Sequence, residues 1–123
     1  MIVNFLSFGF KHGPPEKTDL LLDVRFLPNP YYIPDLQATT GLEPATAAYA
    51  LENEAASTFF TLLTPLLNFL VQQSLESKRE AMTICIGCTG GRHRSVAVVE
   101  KLAAILDLQG SELVITHRDL HKK

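Results

Sequence analysis

The sequence is poor in the features that mark several broad classes of protein. No apolar run has the ~18–20 residues of a membrane span, which argues against a membrane-embedded chain. Residues Met1–Phe8 carry no basic stretch and no small-residue cleavage site, so they do not read as a signal peptide. Only two cysteines occur, Cys85 and Cys88. Their C-x-x-C spacing can mean redox chemistry or half a zinc site, but no second ligand pair is evident. Two thiols without an export signal point to the cytoplasm. The formal net charge is −2, so the chain is not basic overall. The Gly-x4-Gly-Lys-Ser/Thr spacing is missing, which excludes ATP hydrolysis of the P-loop kind. No repeat, low-complexity segment or interdomain linker interrupts the chain, and nothing in it asks for a metal or a cofactor.

What is present fits one α/β domain over residues 1–123. Hydrophobic residues make up 46% and charged residues 20%, an ordinary globular balance. Strands are expected at 2–10, at 19–27 with Pro28-Asn29-Pro30 ending it, at 82–88 and at 113–117. Helices are expected at 43–53, at 57–77 with Pro65 either kinking or dividing it, and at 94–108 with Gly110 as terminator. Alternating strands and helices predict a mostly parallel four-stranded sheet, covered on both faces. The connection between the first two strands is short for a parallel crossover.

In such sheets ligands bind beyond the carboxyl ends of the strands. The candidate site residues collect there. His12, Arg25 and Asn29 follow the first two strands, and His117-Arg118 follows the fourth. The third strand ends in Cys88-Thr89-Gly90-Gly91-Arg92-His93-Arg94-Ser95 and is followed at once by a helical pattern. Glycines allow backbone N–H groups to approach a ligand. A helix N-terminus offers free N–H groups and a favourable dipole to an anion. Arg92 and Arg94 add full charge and can grip a phosphate bidentately. A phosphorylated small molecule is therefore the expected ligand. The basic tail, Arg118, Lys122 and Lys123, is the candidate surface for RNA, or is simply solvated.

Several readings stay open at this point. Cys88 and Arg94 form the C-x5-R spacing of tyrosine phosphatases, in which a thiolate attacks phosphorus. Asp23 and Asp35 are the candidates for its acid. Against this stands a small buried thiol at a strand end. Arg25 and Asp23 can pair with each other, His12 can be a solvated loop residue, and Asn29 can serve the turn alone. Tyr31 and Tyr32 can stack on a sugar or base, or pack over the sheet edge.

The segments Phe8–Gly13, Asp23–Pro30, Thr40-Gly41, Gly87–Ser95 and His117-Arg118, in this order, resemble the C-terminal domain of the RapZ/YvcJ family. Together they span nearly the whole chain. Members of that family carry a Walker-type nucleotide-binding domain ahead of this one, which the present sequence does not contain. The resemblance implies a regulatory phosphosugar sensor. It implies glucosamine-6-phosphate as a ligand, held through Cys88, Thr89, Gly90, Gly91, His93 and Arg94. Small RNA, an endoribonuclease and further copies of the chain are the partners it implies.

Overall fold

The computed structural model describes residues 1–123. Four strands form one sheet: β1 (Ile2–Gly9), β2 (Leu20–Asp23), β3 (Ala81–Cys88) and β4 (Glu112–His117). Their spatial order is β2-β3-β1-β4, and every neighbouring pair is parallel. Three helices accompany it: α1 (Pro44–Leu51), α2 (Glu54–Glu76) and α3 (Arg94–Ile105).

Strand alternation sorts the side chains onto two faces. Val3 and Phe5 of β1 lie in register with Met82 and Ile84 of β3. These residues, with Ile86 and Cys88, join Phe60, Leu63, Leu67 and Val71 of α2 and Val98, Val99 and Leu102 of α3 in one core cluster. α1 packs on α3 and α2. The helices therefore pack on the core face of the sheet, as a sheet flanked by helices requires. On the opposite face the rings of Phe8 and Phe10 close over Gly87, where a Cβ would collide with both. Residues 10–19 run across this face from β1 to β2. The crossover can be short because it holds only one 3-10 turn, Phe10–His12, and no helix.

The element ends differ from expectation for local reasons. β2 stops at Asp23 instead of Leu27. The Asp23 carboxylate accepts the Arg25 N–H two residues on, at 2.9 Å, and turns the chain so that Val24 and Leu27 enter the core. β1 ends at Gly9 because residues 10–12 curl into the 3-10 turn. α2 begins earlier than Ser57, capped by the Asn53 side chain, which accepts the Ala56 N–H at 2.9 Å. Pro65 lies within α2 without dividing it. α3 ends at Ile105, and Gly110, at φ +83°, shapes the turn into β4 rather than terminating the helix. At 23 residues α2 is long and apolar enough to cross a membrane, contrary to expectation, but its buried face belongs to the core.

Candidate functional site

The carboxyl ends of β1 and β3 meet the N-terminus of α3. The loop Thr89–His93 joins β3 to α3 and is pressed against the end of β1. Gly91 has φ +78°, and a Cβ on it would sit 2.5 Å from the Gly9 nitrogen. A Cβ on Gly9 would collide with the backbone of Gly90. Two glycines are thus required where two backbones touch. His93 occupies the cap position of α3 with no side-chain cap bond, which leaves the N–H groups of the first turn without that partner.

A cavity of about 410 Å³ opens at this point. Six of the expected residues line it from the loop: Cys88, Thr89, Gly90, Arg92, His93 and Arg94. Asn29 lines it from the segment after β2, with Tyr31 and Tyr32. Lys11 and Lys123 complete the lining. Lys11, which stands with His12 after the first expected strand, is among the cations that the sequence places at this edge, whereas Asp119 is the important residue that sequence reasoning misses. Lys11 lies in the 3-10 turn Phe10–His12 that follows β1.

Arg94 is 5% exposed. It donates to the carbonyls of Arg25 at 2.6 Å and Leu27 at 3.2 Å, and to the Thr89 hydroxyl at 3.2 Å. Its Nε has no partner. His93 is 7% exposed, and its Nε2 is also without a partner. Burial pushes the His93 pKa down, as do Arg92 and Arg94, against the opposing pull of nearby backbone carbonyls. The ring is therefore held towards its neutral form. Arg92 donates to the carbonyl of Leu120 at 3.2 Å. Cys88 is buried, and its thiol donates to the Ser95 hydroxyl at 3.1 Å.

The remaining expected residues lie outside the cavity lining. Gly91 and Ser95 shape the loop from behind. Arg25 pairs with Asp23 at 2.6 Å and lies over the Phe10 ring. His12 sits in the 3-10 turn after β1. Asn29, although in the lining, spends its side-chain oxygen on the Tyr31 N–H at 3.1 Å. Neither Asp23 nor Asp35 lines the cavity, and no other carboxylate does. Cys85 and Cys88 stand at odd and even positions of β3, so they face opposite sides of the sheet and cannot act as a chelating pair.

The tail is tied to the same place. Asp119 is fully buried and accepts the Gly9 N–H at 2.7 Å. Arg118 and Lys122 pair with it, each at 2.8 Å. Burial opposes its ionisation, but the Arg118 guanidinium, the Gly9 amide and Lys122 outweigh burial and hold its carboxyl well below the usual carboxylate range. Of the three tail residues considered for RNA, two are therefore in ion pairs and the third, Lys123, borders the cavity.

The family described as the RapZ C-terminal domain matches residues 1–121. A protein named nucleotide-binding protein from Limosilactobacillus fermentum is 47% identical over 98% of this chain and 42% of its own length. Nucleotide-binding protein STH186 from Symbiobacterium thermophilum is 45% identical over 96% of this chain and 39% of its own length. A nucleotide-binding protein from Geotalea daltonii is 43% identical over 99% of this chain and 43% of its own length. The chain thus spans about two fifths of the curated relatives it matches.

Proposed function

Because the chain belongs to the RapZ C-terminal domain family, we propose that it is a regulatory adaptor domain whose cavity binds a phosphorylated metabolite, a sugar phosphate. The observation that carries this reading is the pair of unpartnered polar atoms, His93 Nε2 and Arg94 Nε, in side chains more than nine-tenths buried. Both line a cavity at a helix N-terminus. The Arg94 Nε–H is a buried donor without a partner, which is costly, and His93 Nε2 donates in the tautomer that carries its proton there; an anion that reaches them would satisfy both. Tyr31 and Tyr32 also line the cavity, and aromatic rings suit the body of a sugar ligand.

Isothermal titration with inorganic phosphate and glucose-6-phosphate tests the reading. Both should bind, the sugar phosphate more tightly. Arg92→Ala should lose about tenfold or more in affinity, the scale of one charge-assisted hydrogen bond. Cys88→Ser should keep most of it. No heat and no thermal shift with either ligand would overturn the proposal.

One observation favours a second reading, phosphatase chemistry: the Cys88 thiol is bonded to the Ser95 hydroxyl within the C-x5-R-S spacing. Arg94 opposes it, because its Nη1 is held by the carbonyls of Arg25 and Leu27 and its Nη2 by the Thr89 hydroxyl, which leaves Nε alone for an anion rather than the paired donors of a bidentate clamp. The cavity also lacks a carboxylate to protonate a leaving group. Turnover of an aryl phosphate by the wild type that vanishes in Cys88→Ser would establish phosphatase chemistry in place of simple binding.

A further inference from the structure

Charge is spread unevenly along this chain. Between Arg25 and Lys78 the sequence contains no lysine, arginine or histidine, whereas Asp35, Glu43, Glu52, Glu54 and Glu76 all fall there. This stretch forms the segment after β2, then α1 and α2. Glu43 and Glu76 are engaged by Thr40 and by Gln72 and Gln73. Asp35, Glu52 and Glu54 are exposed and sit in no ion pair. The same stretch holds most of the large apolar side chains that the fold leaves exposed. On α2 these are Leu62, at 71% exposed, with Leu66 and Phe69. Their spacing of i, i+4 and i+7 makes one stripe, separate from the Phe60, Leu63, Leu67 and Val71 stripe that enters the core. Scattered exposed apolar residues are ordinary, but a contiguous stripe marks an interaction surface.

The stripe leads towards a groove. Phe59 of α2 packs edge-on against Phe26, with ring centroids 5.3 Å apart. Two residues on, Pro28 borders an open groove of about 530 Å³ beside α1. Leu36, Ala45, Ala48 and Tyr49 line it, and Glu52 is its one charged lining residue. Charge decides what such a face accepts. RNA or an anionic lipid surface would meet carboxylates here and no cation. A helix lying on a membrane needs Lys or Arg beside its apolar stripe, and α2 has neither. A second copy docking the same face about a two-fold axis would set carboxylate against carboxylate. An apolar, positively charged partner fits. We propose that α1, the Pro28 groove and the exposed stripe of α2 form a docking face for a basic amphipathic helix of a partner protein. Its apolar residues pack on Leu36, Tyr49, Leu62 and Leu66, and its Lys or Arg side chains reach Asp35, Glu52 and Glu54. The groove shares no lining residue with the glycine-loop cavity, so this face stands independently of the phosphate reading.

The test is fluorescence anisotropy on the full chain with three labelled helical peptides of equal length. A Lys/Leu peptide, with leucines at i, i+3, i+4 and i+7 and lysines elsewhere, should bind about tenfold or more tightly than either control. The controls are a Glu/Leu peptide of the same pattern and a Lys/Ser peptide of the same charge without the apolar face. Leu66→Ser should weaken the Lys/Leu peptide about tenfold, through lost apolar contact. Glu52→Lys should weaken it about fivefold, through one lost ion pair and one new repulsion. Glu80→Lys, an exposed position outside this face, should leave it nearly unchanged. Leu66 and Glu52 are exposed, so neither substitution opens the core. Either control peptide binding as tightly as the Lys/Leu peptide would overturn the proposal. So would a loss in Glu80→Lys equal to that in Glu52→Lys, which would reduce the effect to bulk charge. Sedimentation of the chain alone and with phosphatidylglycerol vesicles tests the other occupants. Self-association or vesicle binding that disappears in Leu66→Ser would assign the face to a second copy or to a membrane and overturn the proposal.

Discussion

Asp119 is the residue on which the site's geometry depends most. It is fully buried and joins the tail to the end of β1 by accepting the Gly9 N–H, while Gly9 itself lies against the glycine loop. Asp119→Asn keeps the shape but removes the charge that Arg118 and Lys122 pair with. Those cations are partly exposed and regain water, so the expected cost is about 2 kcal/mol, the scale of a charge-assisted hydrogen bond. The pH dependence has a definite sign. The folded-state pKa lies below the unfolded value of about 3.9, so the unfolded chain binds the proton more readily on the acid side. The stabilisation is fully present above that value and is lost as pH falls below it. Urea midpoints for wild type and Asp119→Asn should differ at pH 7 and converge as the pH is lowered below about 4. A constant difference across that range would refute the assignment. Ser7, His117 and Glu100 form another chain of contacts, with His117 Nδ1 2.7 Å from the Ser7 hydroxyl and its Nε2 2.9 Å from Glu100. Ser7 has no exposed surface, and this trio ties β4 to β1 and α3.

At the scale of the element, α2 carries a feature that natural helices rarely tolerate. Pro65 lies in its interior and is exposed, and it deprives the Thr61 carbonyl of its helical donor. Because the helix runs through this position, restoring the N–H should stabilise it. Pro65→Ala should raise the melting temperature, with a gain of up to about 3 kcal/mol, the propensity difference between the two residues. A lower melting temperature would mean that the helix needs the proline for packing. Asn53→Ala, which deletes the cap, should cost about 1 kcal/mol. The elements also differ in how far the amino-acid pattern alone reveals them. The strand–glycine loop–helix unit is legible because its signals are local: an apolar run, adjacent glycines, then helical spacing. β2 is shorter than its pattern implies because Val24 and Leu27 are as apolar as a strand requires. What shortens it is a side-chain bond to Asp23 that outcompetes the ladder. Asp119 escapes notice in the sequence because its role comes from a contact across the fold. Asp119 meets Gly9 over 110 positions of sequence, and no periodicity reports such a contact.

The whole molecule places its basic tail in an acidic protein, and that limits what the tail can do. The net charge is −2. Arg118 and Lys122 are drawn in towards Asp119, so the tail presents Lys123 as its one Lys or Arg without a carboxylate partner. Each contact with an RNA phosphate contributes roughly −0.7 to −0.9 to the slope of log affinity against log salt. A tail with all three cations free would give a slope near −2 to −3 by that rule, whereas a single free lysine gives about −1. Binding of structured RNA by this chain alone should therefore be weak, with a salt slope shallower than about −2. The ion pairs also set the direction of a mutational test. Asp119→Asn frees two cations, so it should steepen the salt slope and tighten RNA binding even as it destabilises the fold. A chain cut before Leu120 loses Lys122 and Lys123 together with the Leu120 carbonyl that Arg92 bonds, so it should lose both the residual RNA binding and part of the affinity for phosphate. Fluorescence-anisotropy titrations at two salt concentrations on the three chains measure these shifts directly. Nanomolar RNA affinity at physiological salt that survives the truncation would show that RNA is read by another surface of the domain, since the tail would then contribute nothing to it.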